Sequence, residues 1–169
     1  MGEIVNRVAA SKLVTFDLEE FYPEGQRVQL DVAQWLHEGV ILIEKSFRES
    51  LQKHDWSPYE GNYVALYCSE EAILPAWAFS LVATHLQPFA AKIVVGTLED
   101  LETAIYRDIL ANLDVASFTD LPVILKGCAR KPVPQNAYLM AIEKLQPVAK
   151  SILFGEACSS VPLFKKKRS

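Results

Sequence analysis

One pattern occurs twice, and it constrains this chain more than any other feature. Tyr63-Val64-Ala65-Leu66-Tyr67 runs apolar into Cys68, and Pro75, Ala78-Phe79, Leu86-Gln87-Pro88-Phe89-Ala90 and Ile93-Val94-Val95-Gly96 follow. Moved along by 59 residues (Pro75 to Pro134), Ala137-Tyr138, Leu145-Gln146-Pro147-Val148-Ala149 and Ile152-Leu153-Phe154-Gly155 fall in step. Val123-Ile124-Leu125-Lys126-Gly127 leads into Cys128, one residue out of register. The shared pattern reads strand, cysteine, loop, proline, helix, Leu-Gln-Pro, strand, glycine.

Each copy opens on a short apolar run rich in β-branched or aromatic residues, which favours a buried strand. Pro75 and Pro134 suit the first turn of a helix, where a missing N–H costs nothing. Leu74, Trp77, Leu81 and His85 recur at helical spacing in the first copy; Tyr138, Ile142 and Leu145 do so in the second, with Leu139 beside Tyr138. Pro88 and Pro147 bias the residue before them away from helix and end each one. Strand, crossover helix and strand make a βαβ unit with parallel strands and a right-handed crossover.

The predicted fold class is therefore α/β. Residues 63–96 and 123–155 form two βαβ repeats of a four-stranded, mostly parallel sheet, Rossmann-like and three-layered. Residues 1–62 form an N-terminal α+β extension, and 1–169 make one domain. The strands are expected near 63–67, 92–95, 123–127 and 151–154, in the spatial order second, first, third, fourth. That order creates a topological switch point between the first and third strands, where open α/β sheets bind ligands.

The extension matches neither repeat. Ile4–Ala9 reads as a short helix, Leu13–Phe16 as a strand and Arg27–Leu30 as another, so an antiparallel pair is expected there. Asp31 is expected to cap Val32–His37, and Val40–Lys53 to form a helix through Ile43, Phe47 and Leu51. Between the repeats, Thr97 caps a helix running to Leu113, with Glu99, Asp100 and Glu102 in its first turn. Its expected apolar stripe is Leu98, Leu101, Ile105, Ile109 and Leu113. Residues 156–164 read as irregular, then extended.

Half of the residues are hydrophobic and no stretch is low-complexity, so the chain reads as globular. The 17 basic residues oppose 21 acidic ones, giving a net charge of −4. Without the basic cluster Lys165–Arg168, expected to be a frayed terminus, 13 face 21 and the body stands at −8. Such a body argues against nucleic acid as a partner. Residues 72–91 hold no Lys, Arg, Asp or Glu, but Pro75, Thr84, His85, Gln87 and Pro88 make a buried helix the better reading than a membrane span. Glu3 and Arg7 interrupt any leader-like start. Three cysteines without a secretory signal point to reduced thiols and a cytoplasmic location.

In the predicted topology Cys68 and Cys128 end neighbouring strands, within about 10 Å of each other given the strand spacing. Cys158 reaches the same edge after the fourth strand. Thiolates brought together suit zinc, iron or an iron–sulfur cluster, with Glu156 the first choice as a fourth ligand or a base. A thiolate near a helix N-terminus is alternatively a nucleophile or sulfur carrier. The third use is structural, since buried cysteines serve as small hydrophobes. No CxxC spacing, Gly-rich phosphate loop or nucleophile elbow occurs. His37, His54 and His85 are dispersed and read as surface or core residues. Asp17, Glu19 and Glu20 read as a solvated acidic turn, and Trp35, Trp56 and Trp77 as core or interface aromatics.

The blocks Phe16-Asp17-Leu18-Glu19-Glu20-Phe21-Tyr22-Pro23-Glu24-Gly25, Leu98–Thr103, Lys126-Gly127-Cys128 and 149–162 resemble a bacterial family, domain-of-unknown-function number 2480. The resemblance covers essentially the whole chain. It supplies no catalytic residues. It implies a cytosolic protein with iron–sulfur assembly proteins as partners. Three functional readings follow: an iron–sulfur or sulfur-metabolism accessory protein using Cys68, Cys128, Cys158 and Glu156; a non-enzymatic interaction module, which includes homo-oligomers; and a small-molecule enzyme using the switch-point pocket.

Overall fold

A computed structural model of the chain describes residues 12–127 and 129–168. The helix expected at Ile4–Ala9 and the residue Cys128 lie outside the described residues. The chain forms two compact units, Pro23–Ile105 on the one hand and the segments up to Tyr22 and from Tyr106 on the other. Each is a mixed α/β body, and the described residues contain four α-helices.

The unit Pro23–Ile105 holds strands β2 (Arg27–Asp31), β3 (Tyr63–Tyr67) and β4 (Lys92–Val95), paired in that order and all parallel. Val64, Ala65 and Leu66 in β3 are buried in an unbroken run, as expected of a parallel strand covered on both faces. Helix α1 (Glu44–Lys53) buries Phe47 and Leu51, and α2 (Trp77–Leu86) buries Ala78, Val82 and Leu86. Full burial of each large apolar side chain contributes about 1.5–3 kcal/mol.

The other unit has a four-stranded sheet. β1 (Val14–Asp17), β5 (Pro122–Lys126) and β6 (Ser151–Glu156) are parallel, and β7 (Ser159–Lys165) adds antiparallel to β6 through the two-residue turn Ala157–Cys158. Helix α4 (Gln135–Leu145) buries Ala137, Tyr138, Ala141 and Leu145. Helix α3 (Leu98–Ala111) carries the boundary between the units within it. Its Tyr106 is fully buried and donates from its hydroxyl to the Leu18 carbonyl at 2.8 Å, so the one polar atom of that side chain is satisfied.

The sheet composition corrects the expected topology. A four-stranded, mostly parallel sheet exists, but β3 and β5 are not neighbours in it, and the order second, first, third, fourth does not occur. β1 and β2 take the expected places instead. They do not pair with each other antiparallel; each lies parallel beside the opening strand of one βαβ segment, β2 on β3 and β1 on β5. β1 (Val14-Thr15-Phe16-Asp17) and β2 (Arg27-Val28-Gln29-Leu30-Asp31) alternate apolar and polar residues, and each satisfies backbone groups by pairing with an existing strand. β3 and β5 each offer a free edge for that.

The two βαβ segments have the same element order and the same register. Tyr63 pairs with Lys92 and Leu66 with Val95; 59 residues on, Pro122 pairs with Ser151 and Leu125 with Phe154. The agreement runs upstream too. Asp55 accepts from the Ser57 N–H at 3.0 Å and Asp114 from the Ala116 N–H at 2.9 Å, each opening a single 3-10 turn before its strand.

Several local expectations shift by a residue or a turn. The buried face of α2 is Ala78, Val82 and Leu86, one position on from Trp77, Leu81 and His85. Asp31 caps Val32–Trp35, a 3-10 turn instead of a longer helix. Val40, Ile41 and Ile43 precede α1 as an exposed apolar stretch. Lys165 ends β7, and Lys166 continues its pairing by donating its N–H to the Lys150 carbonyl at 2.9 Å, so the basic cluster is ordered at its start.

Candidate functional site

β1, β5 and β6 are adjacent and parallel, so their carboxyl ends share one edge of the sheet. They end in Asp17, Lys126 and Glu156. A cavity of about 460 Å³ opens there, lined by these three with Glu19, Gly127, Ala129, Arg130, Phe154 and Gly155. Its size lies within the range of small-ligand sites, and carboxyl edges of parallel strands are where such sites are built.

The wall is a set of paired charges. The Lys126 ammonium lies 3.3 Å from Glu156 Oε1 and 3.8 Å from Asp17 Oδ2. Asp17 also accepts the Glu19 N–H at 3.0 Å, which opens the 3-10 turn Leu18–Phe21 directly after β1. That turn carries Glu19 toward the loop that follows β5. Glu19 Oε1 accepts the N–H groups of Ala129, of Arg130 at 2.6 Å and of Lys131 at 3.4 Å. The Arg130 N–H does most to lower the Glu19 pKa; burial opposes it, and the other two N–H groups and the Arg130 charge add to the lowering. Lys131 places its ammonium over the Tyr22 ring, 5.0 Å from the centroid, which fixes the far side of the loop.

Two glycines shape the edge. A Cβ at Gly127 would stand 3.0 Å from Leu18 Cβ and 3.3 Å from the Tyr138 hydroxyl, so the chain leaves β5 where no side chain fits without displacement. Gly155 takes φ +112°, a conformation that strains any other residue, and a Cβ there would meet the Ser159 carbonyl at 2.9 Å.

The other unit supplies an internal comparison. Asp17 pairs with Lys126, and Asp31 with Tyr67; Leu125 pairs with Phe154, and Leu66 with Val95. Lys126, Phe154 and Glu19 thus answer to Tyr67, Val95 and Ala33. Asp31 keeps the role of its counterpart, accepting from the Ala33 N–H at 2.9 Å and the Ser69 N–H at 3.1 Å. Burial acts upward on the Asp31 pKa, but the Ser69 hydroxyl and the two N–H groups outweigh it and lower the value. The aspartate is thus common to both units, whereas Glu19, Lys126 and Phe154 are particular to the unit that holds the cavity.

Two thiols of the expected cysteine site fall among the described residues. Cys68 follows β3 in the three-stranded sheet, half-buried, with its thiol donating to the Glu70 carbonyl at 3.4 Å. Cys158 is exposed in the turn between β6 and β7, in the other unit. Cys128 lies outside the described residues, although its chain neighbours Gly127 and Ala129 line the cavity. Glu156 stands in the cavity wall against Lys126. The premise that neighbouring strands deliver Cys68 and Cys128 to one switch point falls with the sheet order. Among the described residues, no group of three or more His, Cys, Asp or Glu side chains is placed to hold a metal. His54 and His85 pack their rings on Trp56, at 4.5 and 5.4 Å between centroids, as core residues do.

Asp17 and Glu19 look like a solvated turn in the sequence, and Lys126 and Arg130 carry no motif. The available signal was the comparison of the two copies: Lys126 stands where the first copy has Tyr67.

The chain matches, over residues 2–166, the model of a family described as "protein of unknown function (DUF2480)". It belongs to the DUF2480 family. No curated protein and no solved structure matches it. The DUF2480 match spans both units, so the cavity and its frame fall within the family's extent. No helix among the described residues is long and apolar enough to cross a membrane.

Proposed function

We propose that this chain binds a small polar molecule at the carboxyl edge of β1, β5 and β6. The observation that carries the reading is the cavity itself, with Lys126 held between Asp17 and Glu156 inside it. A paired ammonium and carboxylates orient a ligand by charge, and the partly exposed Phe154 ring offers an apolar surface beside them. It keeps the pocket of the third sequence-based reading, a small-molecule enzyme, without the catalysis, and moves it from the junction of two repeats to the edge of one sheet. The shared register also supports the finer fold reading of two related βαβ halves, each completed by its own N-terminal strand.

Thermal unfolding of the purified protein against a panel of small polar metabolites tests the proposal. A ligand at about one hundred times its Kd adds about 2.7 kcal/mol of stability, which a melting curve resolves. Stabilisation of the wild type is expected to vanish in Lys126→Ala and weaken in Phe154→Ala. Stabilisation that survives both substitutions places the ligand elsewhere.

A second reading keeps the metal. Glu156 lines the cavity, Cys158 is exposed two residues beyond it, and the chain neighbours of Cys128 line the same wall. Two thiolates and a carboxylate are a donor set that zinc or iron accepts. This reading keeps Cys128, Cys158 and Glu156 of the expected donor set. The link to iron–sulfur assembly proteins in a cytoplasm rests on the family resemblance and travels with this reading. Elemental analysis of protein purified without oxygen, beside a Cys128→Ser, Cys158→Ser variant, decides it. Iron or zinc near one per chain, lost in the variant, supports the metal; equal, near-zero metal in both removes it.

A further inference from the structure

We propose that the peptide N–H groups of Ala129, Arg130 and Lys131 form an anion site in the cavity wall, filled here by the carboxylate of Glu19, and that the ligand's carboxylate or phosphate takes Glu19's place. The inference rests on the reading of the cavity as a ligand site and names the ligand's chemical class.

Three successive N–H groups converge on one oxygen, Glu19 Oε1. A concave run of peptide N–H groups carries partial positive charge and holds an anion whatever its source. Arg130 also lines the cavity, and its charge adds a smaller lowering of the Glu19 pKa to that of the N–H groups. Glu19 is an internal ligand from a distant segment. Its backbone is fixed by Asp17, so its side chain leaves by rotamer change alone.

The turn after β1 does not need Glu19. In the three-stranded unit the equivalent position is Ala33, and the turn that follows β2 forms there with the aspartate cap alone. Charge permits the exchange as well. With Glu19 swung out, Lys126 and Arg130 balance Asp17 and Glu156 in the wall. An entering monoanion restores the charge that Glu19 supplied.

Titration of the ¹⁵N-labelled full chain with inorganic phosphate and with acetate, referenced to sodium chloride at matched ionic strength, tests this. Wild type, Glu19→Ala, Glu19→Gln and Glu19→Ala/Arg130→Ala are compared through the amide signals of Ala129, Arg130 and Lys131. A site that is open about a tenth of the time binds about tenfold more weakly than one always open. Saturable shifts at these amides, at least about tenfold tighter in Glu19→Ala than in wild type and weakened again by Arg130→Ala, are expected. If Glu19→Ala broadens the loop signals, Glu19→Gln, which keeps an uncharged acceptor, is expected to bind more tightly than wild type; equal affinity overturns the proposal. So does a Glu19→Ala titration no different from chloride. A neutral aromatic fragment added separately reports on Phe154 and Gly155. Fragment shifts without anion shifts overturn the anion class alone, and silence from both probes overturns the cavity reading with it.

Discussion

Arg27 is the most heavily committed side chain in the unit Pro23–Ile105. Its Nε meets Glu102 Oε1 at 2.6 Å, with both side chains nearly buried, and its Nη1 donates to the carbonyls of Pro23 and Gly25 at 2.8 and 2.7 Å. Removing one partner of a buried ion pair strands the other charge, at a cost of about 3–5 kcal/mol. Arg27→Ala and Glu102→Ala are each expected to lower urea-unfolding stability by that amount. The double variant is expected to lose less than the sum, and additive losses would mean the pair is not coupled. A second group, three surface carboxylates, contributes to acid stability. Thr97 donates to Asp100 from its N–H at 2.7 Å and from its hydroxyl at 2.9 Å, and these bonds lower the Asp100 pKa against an opposing effect of burial. Asp55 is lowered chiefly by the Ser57 hydroxyl, and Glu19 chiefly by the Arg130 N–H. A carboxylate depressed in the folded state stabilises fully above its unfolded pKa, about 3.9 for Asp and 4.3 for Glu, and loses that contribution as pH falls through the folded value. The melting temperature is expected to hold from neutral pH to about 5 and to fall below about 4, modestly for the share these surface carboxylates carry. Asp100→Asn is expected to shallow that fall, and an unchanged acid limb would discount the Thr97–Asp100 cap.

At the scale of elements, α2 and α4 bury the same face: Ala78, Val82 and Leu86 in one, Ala137, Ala141 and Leu145 in the other. Leu86→Ala and Leu145→Ala are each expected to cost about 2–5 kcal/mol. Leu139→Ala, on the exposed side of α4, is expected to stay within about 0.5 kcal/mol. Denaturant melts of the three variants check this, and a large loss at Leu139 would mean the helix is rotated. The helices themselves were legible from the sequence, because Pro75 and Pro134 stand just before them and Pro88 and Pro147 just after, although Gln87 and Gln146 keep helical backbone angles ahead of their prolines. The phase of α2 was not. Trp77, Ala78, Phe79, Leu81 and Val82 make it apolar all round, so periodicity offers no preferred face. Strand positions were legible for the opposite reason: the short apolar runs of β3 through β6 have turn residues on both sides. Where β1 and β2 pair was hidden, since a strand's partner depends on chain-distant edges that local pattern does not encode.

At the scale of the whole molecule, that hidden pairing decides where a site can form. Joining β3 and β5 in one sheet makes the cysteines look convergent. Giving each its own N-terminal strand leaves Cys68 in one unit and Cys158 in the other. Glu156 was legible as a candidate from its place two residues before Cys158, as a fourth ligand or a base, and it ends β6 in the cavity wall. Lys126, Glu19 and Asp17 were not, because ordinary charged residues acquire meaning only when three strand ends meet. The central claim is that those strand ends bind a ligand. Hydrogen–deuterium exchange, with and without a compound that stabilises the protein, tests it most directly. Ligand-dependent protection is predicted in peptides spanning 126–131 and 153–156, and not in peptides from Tyr63–Leu86. Protection confined to Tyr63–Leu86, with 126–131 and 153–156 unchanged, would contradict the account.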